Sequence, residues 1–347
     1  MFIEKDKLVH FSNECFMKLG MPEEEANTIT EVMLEADLRE IHSHGFLRLP
    51  IYIERIQKGL ISSKANISMI NNHGATALMD GNYSAGQVVA KEAMEKSIAM
   101  SEESGLGLVA VKNSNHFGIT AYYSLMAAKQ DKIGIVISNV APLMPAIGGK
   151  EKVIGNNPIS IAAPSVNEPI VLDMALSNTA FGKILFHKEN NKEIPADWGV
   201  DRNGVPTTNP EDIINGGFLS PVGGPKGFGL AVMAEILTGI LSGGDFSKMI
   251  PSMYDTENKQ SISHFMLTID IKKLIPLEVY YSSIEKLTGF IKNSSKADGV
   301  KDIYLPGEIE FMKERANKTR GIPLEENLKE QLDELANELK IQKLIIQ

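Results

Sequence analysis

A chain of 347 residues, 43% hydrophobic and 23% charged, is long and apolar enough for two domains or one large core, and is neither a disordered tail nor a small scaffold. Basic residues number 35 against 44 acidic ones, a net charge of −9 that argues against nucleic acid or an anionic membrane as partner. The single cysteine, Cys15, permits no internal disulfide, and no apolar run approaches the ~20 residues of a membrane span, so a cytoplasmic protein is expected.

In chain order, the spacing predicts a helix over 7–20 that ends at glycine. A second helix opens on Pro22 with Glu23, Glu24 and Glu25 in its first turn and runs through Ile29, Val32, Met33 and Ala36. Next comes His42-Ser43-His44-Gly45-Phe46-Leu47-Arg48-Leu49-Pro50, which holds two of the seven histidines one residue apart, with an arginine four residues beyond the second. If the helix expected over 46–58 begins at Ser43, then His44, Arg48 and Tyr52 share one face; Pro50 can instead mark its start. Strands at 67–70 and 77–80 read as a hairpin around Asn71-Asn72-His73-Gly74. Helix and strand then alternate: helix 86–104, strand 107–111, helix 116–130, strand 133–138. His116 lies where a strand hands over to a helix, a usual place for ligand-facing side chains in α/β folds.

Strands at 159–163 and 169–172 lead to Asp173-Met174-Ala175, and a helix is expected over 178–187. The long loop after it carries Trp198 and Asp201–Thr208, and its length suggests that it covers a site or an interface. Gly223 to Gly229 opens an apolar helix over 230–241. Strand 263–270 and helix 278–292 follow, and Pro306-Gly307-Glu308 starts a helical tail. In that tail Leu324, Leu328, Leu332, Leu335 and Leu339 form a stripe suited to a core or a dimer seam.

Four features carry chemistry. An imidazole exchanges protons near neutral pH and a guanidinium forks onto a carboxylate, so His44, His116 and Arg48 suit an anionic substrate that changes its protonation. Lys226, in a glycine-rich turn feeding a helix, reads either as an anion cradle or as a solvent lysine beside packing glycines. The stretch fits neither the P-loop spacing nor the G-x-G-x-x-G fingerprint. Asp173, at the end of an apolar strand, either bonds a ribose hydroxyl or caps a helix. His42, His44 and His116 could ligate zinc, but no H-E-x-x-H or cysteine cluster accompanies them, and no metal is expected. His10, His73, His187 and His264 read as structural, and Cys15 has no nearby base.

Taken together, His42-Ser43-His44-Gly45 with Arg48, Asn115-His116-Phe117-Gly118, Gly155-Asn156-Asn157-Pro158, Asp173-Met174-Ala175, Gly204-Val205-Pro206-Thr207-Thr208, Gly224-Pro225-Lys226-Gly227 and Pro306-Gly307-Glu308 resemble the type-2 malate/L-lactate dehydrogenases. The matches span 42–308 in one order. The resemblance implies an α/β protein with a non-Rossmann NAD(P)-binding fold, a mainly helical domain from 1–70 and 278–347, and an NAD(P)-binding domain over 71–277. It implies a homodimer acting on a small anionic 2-hydroxy acid, malate or L-lactate, with NAD or NADP and NAD preferred. His116 is then the acid/base with His44 competing or cooperating, Arg48 holds the substrate carboxylate and Tyr52 lines the pocket. Asp173, Met174, Ala175, Leu176, Lys226, Pro306, Gly307 and Glu308 match cofactor-contacting segments. Val140 stands where family members often carry a small hydroxyl residue, which leaves backbone contacts there. Ureidoglycolate is an alternative substrate, suggested by Ser252-Met253-Tyr254-Asp255 and Tyr304-Leu305-Pro306-Gly307. A zinc hydrolase on His42, His44 and His116, or a catalytically silent nucleotide-binding protein, are readings from other classes.

Overall fold

The computed structural model describes residues 2–344, and its frame is a seven-stranded mixed sheet. The strands are β1 (Ser68–His73), β2 (Thr76–Asp80), β3 (Leu106–Ser114), β4 (Lys132–Ser138), β5 (Ile159–Ala163), β6 (Ile170–Met174) and β7 (Ile262–Asp270). Their spatial order is β1-β2-β3-β7-β4-β5-β6. Only β2 and β3 run parallel, joined by the crossover helix α4 (Gly86–Ser104); the other neighbours are antiparallel. The alternation of helix and strand in the sequence therefore yields one βαβ unit inside a mostly antiparallel sheet.

The central strand β7 is apolar on both faces because both are covered. On one side α4 and α5 (Thr120–Ala128) bury Val89, Met94 and Tyr123 with Val109, Val111 and Met266. On the other, Phe265 and Ile137 pack with Ala231 and Ala234 of α8 (Pro225–Glu235) and with Leu176. His264 sits fully buried in β7, with Nε2 2.8 Å from Ser114 Oγ on β3 and Nδ1 3.0 Å from Ser138 Oγ on β4. Its ring stacks on Phe117 at 4.3 Å. It staples three strands, which is the structural role its sequence suggested.

A second core joins the two ends of the chain. Helices α1 (Lys5–Lys18), α2 (Glu23–Leu38), α3 (Leu49–Gln57) and α11 (Glu326–Leu339) bring Leu8, Phe16, Ile29, Met33, Leu49 and Ile53 together with Leu332, Leu335 and Leu339. Phe2–Ile3 pairs with Ile322–Pro323 as a short ribbon beside it. The leucine stripe is thus core. Cys15 lies in this core too, and burial pushes its thiol up to about 12, so it is no nucleophile.

Several boundaries differ from the sequence reading. Residues 42–48 do not continue α3: they form two 3-10 turns, His42–His44 and Phe46–Arg48, and Pro50 stands in the first turn of the helix. Proline's missing amide costs nothing at a helix start and would break a longer one. Helix α5 begins at Thr120, which leaves His116 in the loop before it. Helix α8 begins at Pro225, so Lys226 is already in its first turn, and the helix passes into a π turn at Ile236–Ile240. The helix after Asp173, α6, runs over Phe181–Glu189, and the connection beyond it, interrupted by the short α7 (Pro210–Ile214), packs against 145–149 around a cleft of about 260 Å³.

Candidate active site

The histidine stretch is folded over one buried carboxylate. Asp37, in the last turn of α2, accepts from the Phe46 amide at 2.8 Å and lies 2.7 Å from His42 Nδ1. A Cβ on Gly45 would stand 2.1 Å from Asp37 Oδ2, so only glycine lets the two turns close on the carboxylate. The hydrogen bond that His42 donates to Asp37 raises the His42 imidazole, while burial raises the Asp37 carboxyl and its two bonds oppose that. His42 is thereby committed to structure, and the turns present Ser43, His44 and Arg48 instead. Ser43 Oγ meets His44 Nδ1 at 2.9 Å, and Arg48 Nε donates to the Ser43 carbonyl at 2.6 Å. The other end of the Arg48 guanidinium donates to the Tyr254 hydroxyl.

His116 enters from the sheet. Its loop follows β3, its amide donates to the buried Gln260 Oε1 at 3.1 Å, and Gly86 at the start of α4 packs beneath it. A Cβ on Gly86 would stand 2.2 Å from the Asn115 carbonyl oxygen and 2.4 Å from that of His116. The His116 ring stacks on His44 with centroids 5.4 Å apart and planes at 28°. Its Nδ1 is 2.6 Å from the Tyr52 hydroxyl, whose ring lies in the terminal core. His44, Arg48, Tyr52 and His116 thus form one cluster where the helical core meets the sheet.

Electrostatics hold both imidazoles neutral. Burial, the neighbouring His44 and the Arg48 charge keep His116 well below the ordinary histidine range. Burial, with Arg48 adding to it, brings His44 down to about 4. With Nδ1 engaged by Tyr52, His116 keeps Nε2 for proton exchange. Burial also raises the Tyr52 phenol, which therefore acts as a neutral hydrogen-bonding group and not as a phenolate.

The segments expected at a cofactor fall along one run. Asp173 Oδ2 accepts from the Ala121 amide at 3.0 Å, which ties β6 to the start of α5 just beyond the His116 loop. The helix it caps precedes it in the chain. The Pro306 carbonyl accepts from Val171 on the same strand, and the carboxylate of Glu308, the first residue of α10 (Glu308–Arg320), is held by Lys292 and the Leu305 amide. Farther along, the Val140 amide donates to Asn157 Oδ1 at 3.2 Å, the Leu176 amide to the Asn156 carbonyl, and the Val222 amide to the Leu176 carbonyl. Leu176 itself is buried in the core, while Asp173 and Lys226 are exposed and Met174, Ala175 and Gly307 are half-buried.

Sequence reasoning missed Asp37, Gln260, and Arg55 with its hold on the 253–258 loop. Each acts through a residue far along the chain or through a backbone amide, so no motif spacing announces it. Tyr254 was noted only as part of a run, not as the partner of Arg48. The zinc reading finds no support: His42 is turned onto Asp37, and among the described residues no group of three His, Cys, Asp or Glu side chains could hold a metal ion.

The family model described as malate/L-lactate dehydrogenase matches residues 3–333. The malate dehydrogenase of Pyrococcus horikoshii is 38% identical over 349 residues, covering 99% of this chain and 96% of that protein. The NAD(+) ureidoglycolate dehydrogenase of Escherichia coli is 32% identical over 330 residues, covering 94% of each. Among solved structures, the sulfolactate dehydrogenase of Methanocaldococcus jannaschii superimposes with a TM-score of 0.94 at 37% identity, covering 99% of this chain and 98% of that one.

Proposed function

The chain belongs to the malate/L-lactate dehydrogenase family, a family of 2-hydroxy-acid dehydrogenases that use a nicotinamide cofactor, and from that premise we propose that it interconverts malate and oxaloacetate with NAD. L-Lactate is the shorter substrate of the same type. The observation that carries this reading is the cluster itself: an imidazole with one nitrogen engaged, stacked on a second imidazole, beside a guanidinium. Oxidation of a 2-hydroxy acid needs a base for the hydroxyl proton and a clamp for the adjacent carboxylate.

The residues present fit a nicotinamide dinucleotide by the chemistry of their groups. Lys226 in the first turn of α8 supplies a cation and free amides for a pyrophosphate. Asp173, with one oxygen on Ala121 and its carboxyl raised by burial to about 7, keeps the other oxygen for a ribose hydroxyl, and NAD over NADP follows the relative named for NAD(+). Val140 contributes backbone, and Met174, Ala175 and the turn Pro306-Gly307-Glu308 complete the wall. Residues 71–277 are the cofactor-binding part, and the helical part from 1–70 and 278–347 brings Arg48, His44 and Tyr52. When bound, the nicotinamide supplies the hydride acceptor. The chain's own part is to hold and deprotonate: Arg48 fixes the carboxylate, His116 Nε2 takes the hydroxyl proton, and Tyr52 at Nδ1 keeps the ring oriented. In the reverse direction the protonated His116 returns that proton to the carbonyl oxygen. His44, stacked on it, shapes the field in which it titrates.

A homodimer is part of the proposal. Helix α9 (Leu277–Lys292) has no buried residue, its Phe290 is 77% exposed, and Val279 and Leu287 accompany it. Leu230, Met233 and Ile240 form another exposed apolar face along α8 and its π turn. Faces of this kind suit a self-association surface.

The test is a panel of 2-oxo acids and ureidoglycolate, each with NAD and NADP, followed by nicotinamide absorbance. Oxaloacetate reduction with NADH is the expected leading activity. No turnover of any 2-oxo acid overturns the reading. Ureidoglycolate is the second substrate to watch, because the Ser252–Asp255 run that suggests it supplies Tyr254, the partner of Arg48.

A further inference from the structure

The guanidinium of Arg48 is partly committed before any substrate arrives. Its Nε donates to the Ser43 carbonyl at 2.6 Å, which removes the side-on edge from use. Its Nη1 donates to the Tyr254 hydroxyl oxygen, and the Tyr254 ring centroid is 5.7 Å from Arg48 Cζ. A phenol whose oxygen accepts still has its own proton to give. The guanidinium hydrogens left over and this O–H therefore stand side by side as donors, and Tyr254 is 65% exposed, so a small anion can reach them.

The loop that carries Tyr254 is fixed from below. Arg55, fully buried in α3, donates to the carbonyls of Met253, Asp255 and Asn258, the last at 3.2 Å. Lys58 Nζ donates to Thr256 Oγ1 at 2.7 Å, and Asp255 Oδ1 accepts from the amides of Glu257 and Asn258. Such fastening exceeds what an exposed connection needs. It gives Tyr254 a set position over Arg48, and preorganised donors bind an anion without an ordering cost.

We propose that Tyr254 is a substrate-contacting residue, its hydroxyl completing with Arg48 a donor cradle for the carboxylate of the 2-hydroxy acid. The proposal rests on the reading of Arg48 as the carboxylate clamp. Arg55 is the positioning residue behind it. The cradle recognises an oxyanion with at least two free oxygens and disfavours a neutral amide in the same place.

The experiment is a double-mutant cycle with Arg48→Ala and Tyr254→Phe, reading calorimetric binding of malate at saturating NADH, a pair that cannot react, together with the KM for oxaloacetate. Tyr254→Phe keeps the ring and removes only the hydroxyl. Malate binding is expected to weaken by roughly ten- to a hundredfold, as for hydrogen bonds to charged groups, with kcat and the cofactor KM unchanged. In the Arg48→Ala background the same change is expected to cost less than about twofold, because the partner that orders the phenol is gone. Malate binding within about twofold of wild type in Tyr254→Phe, or additive losses, overturns the cradle while leaving the dehydrogenase reading intact. If the wild type reduces no 2-oxo acid yet malate binding follows the expected pattern, the cradle stands and the reaction falls. If the wild type with cofactor binds no malate, the cradle is overturned.

Discussion

Replacing Tyr52 by phenylalanine isolates the bond on which the acid/base reading turns. The ring is 3% exposed and packed in the terminal core, so the substitution keeps its packing and removes only the hydroxyl 2.6 Å from His116 Nδ1. When His116 Nε2 takes the substrate proton the ring becomes cationic, and Nδ1–H, which already faces the phenol oxygen whenever Nε2 is the free base, donates to it more strongly. A hydrogen bond to a charged group contributes about 1.5–3 kcal/mol, which predicts a fall in kcat of roughly ten- to a hundredfold. The KM should change little, since the guanidinium clamp is untouched. Losing an acceptor for the imidazolium also lowers the His116 pKa further, so the pH profile shifts acidward in both directions of the reaction. Steady-state kinetics of malate oxidation and oxaloacetate reduction across pH, with a urea melt to verify folding, supplies the measurement. A raised KM with unchanged kcat and unchanged pH profile would return Tyr52 to the passive pocket-lining role expected from the sequence and refute the argument.

Gly45→Ala drives a methyl into the Asp37 carboxylate and is expected to separate it from the Phe46 amide and His42, at about 1–3 kcal/mol for each buried polar group left unpaired. Lowered thermal stability together with a raised substrate KM is the expected pair of results, and an unchanged melt counts against Asp37 holding the two turns. The kcat/KM for malate oxidation should stay flat as pH falls through 6.5, the ordinary histidine value, and drop only well below it, since burial keeps His116 neutral; reduction should gain as pH is lowered. An acid limb at 6.5 or above contradicts this. Folding stability has the same sign. Unfolded histidines protonate near 6.5, whereas buried His264 is held down to about 3, so the unfolded chain binds more protons between those values. Stability then falls with pH from about 6.5 downward, by about 1.4 kcal/mol per pH unit for each such histidine, as urea midpoints can measure.

Elements with strong local signals were legible. Helix α4 falls over 86–104 as its pattern predicts, and the hairpin and the strands around 107–111 and 133–138 are where period and turn residues put them. Strand neighbours were not, because β3 and β4 meet only through β7, more than 120 residues further on, and no local pattern encodes that pairing. In the site, His44, Arg48 and His116 stood out by residue type and spacing. Asp37 did not, since its carboxylate serves a backbone amide, and neither did Arg55, whose partners are carbonyls that any residues could supply. Proline decided the one local ambiguity: Pro50 starts a helix and so leaves 42–48 free to bend around Asp37.

The late arrival of β7 also bears on how the protein is made. On the ribosome the chain up to residue 261 carries two half-sheets whose inner edges, β3 and β4, have open amides and carbonyls and nothing between them. A nascent or truncated chain of that length is a template for pairing with its neighbours, and a chaperone would meet it there. Gln260, which secures the His116 amide, emerges just before the strand that closes the gap. The anchor of the His116 loop and protection from aggregation therefore come in the same few residues of synthesis.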